Sequence, residues 1–314
     1  MKAKGRETRS RHTWNEAAGM AFRAKFALVL PVALCAAGLA CTPGGRDGEP
    51  LPQLLRIGVT PDESEGQLSA RYTPLLDYLS ATLGVSCKLV FPESYRDLVD
   101  LFTAGDVDLA HFGGVTFVTA WGEGDIIPIV MRENDLGFTS YFIVRADHPA
   151  QTLHDLKGES LAFVSELSTS GYYMPCFFMG KQGIVPETFF DSLSFTGAHD
   201  TTAYRVRDGQ AAVGVANSTI IDGMYADGRL LRDDVRVLWE TPLYVDHVWA
   251  LRPEYAGTAA TALRDAFLAL LASDEEHARI LRALDAAYYL PASLDDFEAL
   301  KASVEEHPAG MENP

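Results

Sequence analysis

The run Ser-Glu-Leu-Ser-Thr-Ser-Gly-Tyr-Tyr-Met-Pro, residues Ser165 to Pro175, indicates how the chain folds. The apolar run Leu161 to Val164 precedes it, and Cys-Phe-Phe-Met-Gly-Lys follows it. This order predicts a strand, a hydroxyl-rich turn and a helix capped by the segment Ser168–Gly171, called the hydroxyl turn below. A helix start leaves backbone N–H groups unpaired, so small hydroxyls and a glycine there predict an oxyanion site. An ordinary capped helix is the alternative interpretation.

The N-terminus has the features of a processing signal. Arg23 and Lys25 precede the apolar run Phe26 to Ala40, which is too short to span a bilayer comfortably and ends in small residues directly before Cys41. Residues 1–40 therefore look like a bacterial lipoprotein signal peptide, with Cys41 as the lipidated first residue of the mature protein. Translation from Met20 is an alternative, because the residues before it add polar length that such a signal does not need.

Residues 41–53 are rich in proline and glycine and show no periodicity, which predicts a flexible tether. A lipid, a tether and a folded body together predict an extracytoplasmic protein of the bacterial cell envelope. Such a protein is anchored to a membrane face rather than spanning the membrane.

The charge balance is strongly acidic, with 26 basic and 43 acidic residues and a net charge of −17. Residues 1–40 hold seven of the basic and two of the acidic residues, so 19 basic and 41 acidic residues remain after cleavage. Nucleic acid is not an expected partner of such a chain. An anionic ligand would have to be held by local dipoles and hydrogen bonds.

Two cysteines remain once Cys35 is removed with the signal and Cys41 is lipidated. Cys87 lies on the apolar side of an alternating strand and is interpreted as a core residue. A disulfide to Cys176 is not favoured, since the two residues fall in different predicted lobes.

Strand-like and helix-like segments alternate along the rest of the chain, which predicts an α/β fold with mostly parallel sheets. The first two predicted helices are Tyr72 to Leu83, ended by Gly84, and Tyr95 to Ala104, ended by Gly105. The third strand leads into Gly113, Gly114, Val115 and Thr116, a second candidate anion site at a strand's carboxyl end, although glycine pairs also serve as ordinary turns. Two βα series with two crossings predict two lobes around a ligand cleft. Lobe 1 is predicted to comprise residues 54–142 and 246–305, and lobe 2 residues 143–245.

The order of several motifs resembles the phosphate/phosphite/phosphonate substrate-binding proteins of bacterial ABC importers. The resemblance covers about residues 54 to 290, and its order and spacing are more specific than any one motif. The motifs are Ile57-Gly-Val, Tyr72-Thr-Pro-Leu-Leu, Tyr95 after Phe91-Pro-Glu-Ser, Asp108-Leu-Ala-His-Phe-Gly-Gly, Ser140-Tyr-Phe-Ile-Val-Arg-Ala-Asp, Ser168-Thr-Ser-Gly-Tyr, Gly197-Ala-His-Asp and Asp246-His-Val-Trp-Ala-Leu-Arg.

This resemblance implies a two-lobed periplasmic-binding-protein fold of type II that closes on its ligand. It also implies that the hydroxyl turn, a histidine and an aspartate hold the oxyanion, while an aromatic residue walls the pocket from the other lobe. The positions in this sequence are Ser168, Thr169, Ser170, Gly171, His199, Asp246 and Tyr95, with Gly114, Thr116 and Phe138 as further candidates.

Asp246 is the most informative of these residues, because a carboxylate repels an anion unless that anion carries a proton to donate. A monoprotonated phosphorus oxyanion is therefore expected in preference to sulfate. A hinge-strand salt bridge or a cap for Asp246, and a capping or core role for His199, are the alternatives. Phe138 replaces an expected tyrosine, and Ile220 lies where aminophosphonate binders carry an acidic residue, so an aminoalkyl ligand is disfavoured.

The expected function is that of a monomeric solute-binding lipoprotein, serving an ABC permease and its ATPase and binding phosphonate, phosphite or phosphate. A binding protein that reports arsenite or selenate to a membrane sensor kinase is the alternative. A thiol enzyme built from Cys176, His199 and Asp246 is disfavoured, because Cys176 falls inside a helix. No cofactor or metal motif is visible in the sequence.

Overall fold

The computed structural model describes residues 48–306. The predicted signal peptide, the lipidation site Cys41 and the first half of the predicted tether lie outside the described residues. Within residues 48–306, no helix combines the length and the apolar character needed to cross a bilayer.

The described part of the chain contains strands of three to six residues. In chain order they are β1 (Leu54–Val59), β2 (Ser86–Val90), β3 (Leu109–Phe112), β4 (Ile127–Arg132), β5 (Ser140–Arg145), β6 (Ser160–Phe163), β7 (Ser192–Phe195), β8 (Val213–Asn217), β9 (Val235–Glu240), β10 (Val248–Leu251) and β11 (Tyr289–Pro291).

Helices alternate with these strands. They are α1 (Glu65–Leu83), α2 (Tyr95–Ala104), α3 (Gly114–Glu123), α4 (Met174–Gly180), α5 (Pro186–Phe189), α6 (His199–Arg207), α7 (Ser218–Ala226), α8 (Thr258–Leu268), α9 (Glu275–Ala283) and α10 (Glu298–Glu306). A single π turn, Thr169–Tyr173, precedes α4.

Two mixed sheets organise the described residues, in the strand orders β11-β4-β10-β3-β1-β2 and β7-β6-β8-β5-β9. The α/β class is confirmed, but the prediction of mostly parallel sheets was wrong. Only β1 with β2 and β3, and β6 with β7 and β8, pair in parallel. The chain crosses between the sheets after β4 and again after β9. The strands that follow these crossings, β5 and β10, pair antiparallel to both of their neighbours, and β11 pairs antiparallel to β4.

The boundary between the lobes lies slightly earlier than the sequence indicated. Ser140, Tyr141 and Phe142 had been placed in lobe 1, but they belong to β5, which pairs with β8 and β9 in the second sheet. The two crossing segments pair with each other at an isolated bridge between Phe138 and Tyr244. Lobe 1 below means the part built on the first sheet, and lobe 2 the part built on the second.

Helix starts differ most from their predicted positions. The first helix begins at Glu65, seven residues before the predicted Tyr72, and contains Pro74. Gly84 ends it in the left-handed region (φ 69°), as its position predicted. Burial of Leu68 and Leu75 on one face explains the longer helix, because tertiary packing outweighs local propensity.

Both ends of the described chain pack on lobe 1. At the start, Glu49 N donates to Glu254 O (2.6 Å), and a Cβ on Gly48 would come within 2.3 Å of Ala256 O. At the other end, Phe297 precedes α10 and stacks obliquely on Phe117 of α3, with ring centroids 4.7 Å apart. The start of α3 is therefore backed by the last described helix.

Candidate functional site

The two lobes meet at the segment Thr60–Ser64, which follows β1 and is called the interlobe loop below. His199 N, at the start of α6 in lobe 2, donates to Asp62 O (2.9 Å). Ser64 N donates to Asp200 Oδ2 (3.3 Å), also on α6. The described structure is therefore a closed arrangement, in which the carboxyl end of β1 touches a helix start of the other lobe.

The hydroxyl turn occupies the position that the sequence predicted, between β6 and a helix. Ser168 Oγ accepts a hydrogen bond from Gly171 N (3.0 Å), which confirms Ser168 as a cap. A Cβ on Gly171 would lie 2.5 Å from Val164, so only glycine fits there without moving the strand end. The turn is thus held rigidly by its own bonds and by packing.

The start of α3, the second predicted anion site, already has partners. Gly114 N donates to Asp246 Oδ1 (2.9 Å), and Val115 N donates to Thr169 Oγ1 (2.9 Å) of lobe 2. Thr116 Oγ1 donates back to Gly113 O (2.8 Å), so the Thr116 hydroxyl is used within its own turn. Two backbone N–H groups at the start of α3 therefore connect Asp246 with the hydroxyl turn, since one is bonded to each.

Asp246 is fully buried, and only one of its carboxylate oxygens has a hydrogen bond. Oδ2 has no hydrogen-bond partner and lies 3.7 Å from His247 Nδ1, whereas Oδ1 accepts a hydrogen bond from Gly114 N. Burial raises the pKa of Asp246, although the neighbouring His247 opposes this shift. A buried acceptor without a hydrogen bond costs free energy, so this oxygen can gain a favourable hydrogen bond from a ligand that carries a proton.

The imidazole of His199 is buried and has a defined tautomer. Its Nδ1 accepts a hydrogen bond from Asn217 N (2.9 Å), so the ring proton lies on Nε2. Burial lowers the pKa of His199 to about 4, although the charge of Asp62 opposes this shift. His199 is therefore a neutral hydrogen-bond donor at pH 7, and its Nε2 lies 3.8 Å from Asp62 Oδ1.

Asp62 is a member of this cluster that the sequence analysis missed. Tyr95 OH, on lobe 1, donates to Asp62 Oδ1 (2.7 Å), and Ser168 of lobe 2 lies near the same hydroxyl. Burial opposes ionisation of Asp62, but the nearby imidazoles of His247 and His199 and the hydrogen bond from Tyr95 lower its pKa. The polar run directly after β1 was the signal that could have identified it, because ligands bind at the carboxyl ends of strands.

The hinge side of the cluster contains Phe138, Tyr244 and Ser170. The Phe138 ring meets His247 edge to face at 5.3 Å, so it contributes an apolar wall. Tyr244 OH is 2.5 Å from Ser140 Oγ, and Ser170 lies near the same hydroxyl. This tyrosine was not singled out in the sequence, because a single aromatic residue before a strand has no distinguishing signal.

The thiol-enzyme arrangement is not assembled. Cys176 is buried within α4, and burial raises its pKa well above the ordinary value. His199 uses its two nitrogens toward Asn217 and Asp62 instead. Cys176 and Cys87 are both free thiols, and among residues 48–306 no group of three or more His, Cys, Asp or Glu side chains could hold a metal ion.

A second contact between lobes lies beside this cluster. The Glu63 side chain, buried in the interlobe loop, pairs with Arg71 of α1 and with Arg229 Nη1 (2.7 Å) of lobe 2. Arg229 is held in turn by Asp227 (2.7 Å). We call Glu63, Arg71 and Arg229 the interlobe latch. A buried carboxylate between two guanidinium groups stabilises the contact of the lobes only while both partners are present.

A family model described as "ABC transporter, phosphonate, periplasmic substrate-binding protein" matches residues 57–297. The chain belongs to this family. It is 27% identical to the probable ABC transporter phosphite binding protein PhnD1 of Prochlorococcus marinus (strain MIT 9301), over 80% of this chain and 88% of that protein. It is 28% identical to the phosphate-import protein PhnD of Mycolicibacterium smegmatis, over 71% of this chain and 75% of that protein.

The fold agrees with this membership. The structure of Prochlorococcus marinus PhnD1 in complex with methylphosphonate superposes with a TM-score of 0.77 and 25% sequence identity, over 82% of this chain and 99% of that one. The predicted type II periplasmic-binding-protein fold with two lobes is confirmed, and so is the predicted family.

Proposed function

We propose that this protein is the extracytoplasmic solute-binding component of an ABC importer and that it binds a small phosphorus oxyanion between its lobes. The unpaired Oδ2 of buried Asp246 carries this proposal, because only a ligand that shares a proton with that oxygen turns it into a favourable contact. Phosphonate, phosphite and phosphate all offer such a proton, whereas sulfate does not.

The other ligand contacts come from groups that already converge there. The neutral Nε2–H of His199 donates to an unprotonated oxygen, and so do the hydroxyls of Thr169 and Ser170 and the backbone N–H groups beside them. Tyr95 forms the wall from lobe 1, with Gly114 at the start of α3, and Phe138 forms an apolar wall on the hinge side. Thr116 positions that helix start through its bond to Gly113 O rather than touching the ligand.

The importer role rests on family membership, since the family and the matched relatives are transport components. The partners would be a permease and its ATPase, with the binding protein acting as a monomer and performing no chemistry of its own. Lipidation at Cys41 after removal of residues 1–40 would hold it at the extracytoplasmic face of the membrane. The sensor-kinase alternative for arsenite or selenate has no supporting contact in the structure.

A thermal-shift screen tests the ligand class. The described residues belong to one compact unit, and protein that begins at Gly48 would be screened against phosphate, phosphite, methylphosphonate, aminoethylphosphonate, sulfate, arsenite and selenate. A ligand at 100 times its dissociation constant adds about 2.7 kcal/mol of stability, which gives a clear shift. We expect a shift with at least one phosphorus oxyanion and none with sulfate. Folded, ligand-free protein that responds to no phosphorus compound would remove this ligand class.

The interlobe latch predicts that affinity depends on residues that do not touch the ligand. Arg229→Met leaves the buried Glu63 with Arg71 alone, so the closed arrangement becomes less stable and ligand binding should weaken roughly tenfold. Small-angle scattering should also show a larger radius of gyration at subsaturating ligand. The control is Arg232→Met, an exposed arginine on the same segment. Equal affinities in both variants would contradict a role of the latch in closure.

A further inference from the structure

His247 lies between the two carboxylates of the candidate site. Its Nε2 is 3.7 Å from Asp62 Oδ2, and its Nδ1 is 3.7 Å from Asp246 Oδ2, the oxygen without a hydrogen bond. The His247 side chain is 6% exposed. The residue follows Asp246 directly in the chain, and the sequence analysis assigned it no role.

Two buried carboxylates beside an anion need a positive charge nearby, because like charges at these distances repel strongly in a buried site. The nearest guanidinium, that of Arg132, is paired with Asp135, although its Nη2 also lies 3.4 Å from His247 Nδ1 and opposes a positive charge there. Its Nε is 3.0 Å and its Nη2 2.6 Å from Asp135, and its Nη1 donates to Leu284 O. The charge of Arg132 is thus balanced by Asp135, which leaves His247 as the cation that faces both Asp62 and Asp246.

The surroundings of the imidazole show why it can hold a proton. Burial alone would lower the pKa of His247, but the neighbouring carboxylates of Asp246 and Asp62 raise it above the ordinary value. The neighbouring imidazole of His111 stacks at 5.3 Å, and burial lowers its pKa, so it adds no charge. The charged and titratable groups that face or influence His247 are Asp62, Asp135, Asp246, Arg132, His111 and His199.

We propose that His247 is a positioning residue for the oxyanion: as a cation it holds Asp62 and Asp246 beside the ligand, and binding weakens when it loses its proton. The proposal rests on the proposed function, since it presupposes an anion between the lobes. The protonation state of His247 would then help to set the pH range over which the protein binds its ligand tightly. Each oxygen of Asp246 then has its own partner, Gly114 N for Oδ1 and the ligand proton for Oδ2, while His247 supplies the balancing charge.

The test compares the full-length protein with its His247→Gln variant by calorimetric titration with phosphate, phosphite and methylphosphonate from pH 6 to pH 9.5. Ionisation of each ligand is the same in both titrations, so it cancels in the ratio of dissociation constants. We expect the variant to bind about tenfold more weakly at pH 6, where the wild-type imidazole is charged, and the ratio to fall toward one at pH 9.5. A purely structural role would give a ratio that does not change with pH, and that result would overturn the proposal.

Two further measurements keep the outcomes distinct. His154→Gln removes an exposed histidine and should give a ratio of one at every pH. If His247→Gln does not fold, NMR of the wild-type imidazoles replaces it. One resonance should titrate above the ordinary range and move to still higher pH when phosphate binds, and its absence would overturn the proposal. Wild-type protein that binds none of the three ligands would instead contradict the proposed function itself.

Discussion

Asp246→Asn is expected to reverse the preference between protonated and unprotonated oxyanions. The wild-type protein should bind a monoprotonated phosphorus oxyanion and reject sulfate, whereas the variant should bind sulfate and lose most of its affinity for the phosphorus ligand. The ratio of the two affinities should change by roughly three orders of magnitude, because a buried site built for one hydrogen-bond pattern strongly rejects the opposite pattern.

The reason lies in the two oxygens of Asp246. Oδ1 accepts from Gly114 N, and an asparagine carbonyl oxygen retains that bond. The amide nitrogen then replaces the unpaired Oδ2, so an acceptor for the ligand proton becomes a donor that faces it. Because burial raises the pKa of Asp246, the neutral asparagine should also make the ligand-free protein more stable at neutral pH.

Calorimetric titrations of wild type and variant with phosphate, methylphosphonate and sulfate at constant ionic strength would measure this change. Asp125→Asn, which neutralises an exposed carboxylate of lobe 1, controls for the change in net charge. An Asp246→Asn protein with unchanged selectivity would show that the ligand proton is directed elsewhere.

His199 is expected to make the protein less stable as the pH falls from about 6.5 to about 4. Its pKa is about 4 in the folded protein, against an ordinary value of 6.5, so the unfolded chain takes up the proton first as the solution is acidified. Stability is therefore fully retained above pH 6.5 and is lost through this window, by about 3 kcal/mol from this residue. The change is large because the side chain is only 1% exposed.

Urea unfolding of ligand-free protein at several pH values between 7 and 4 would measure this loss. A His199→Asn variant should be less stable at pH 7, since Asn217 N loses its acceptor, but its stability should fall less over the same window. His154→Gln should retain the wild-type slope. Parallel slopes for wild type and His199→Asn would contradict a buried neutral imidazole at position 199.

Local patterns in the sequence predicted the elements that depend on neighbouring residues. The second helix has the predicted bounds, Tyr95–Ala104, because its cap and its final glycine lie in the same short stretch. The hydroxyl turn was located for the same reason. The family and the two-lobed fold followed from the order of such motifs along the chain.

Contacts between distant residues could not be predicted in this way. The proton position on His199 is set by Asn217, 18 residues away, and Glu63 pairs with Arg229, 166 residues away. Asp62 was missed because it stands in no motif, and its contact with the start of α6 forms only where the lobes meet. His247 stands in the motif Asp246-His-Val-Trp-Ala-Leu-Arg, but its role depends on Asp62 and Asp135, which are distant in the chain. The antiparallel pairing of β10 and β11 likewise depends on where the chain returns to the first sheet.

Gly48 and Glu49 pack against the backbone near Glu254, so the N-terminal segment is attached to lobe 1 rather than to lobe 2. Six residues, 42–47, separate this contact from Cys41, a span of at most about 25 Å even when fully extended. A lipid on Cys41 would therefore keep lobe 1 close to the bilayer. Opening and closing would then be a rotation of lobe 2 relative to the membrane. His199 and the hydroxyl turn would move with lobe 2, while the site residues of lobe 1 stay in place.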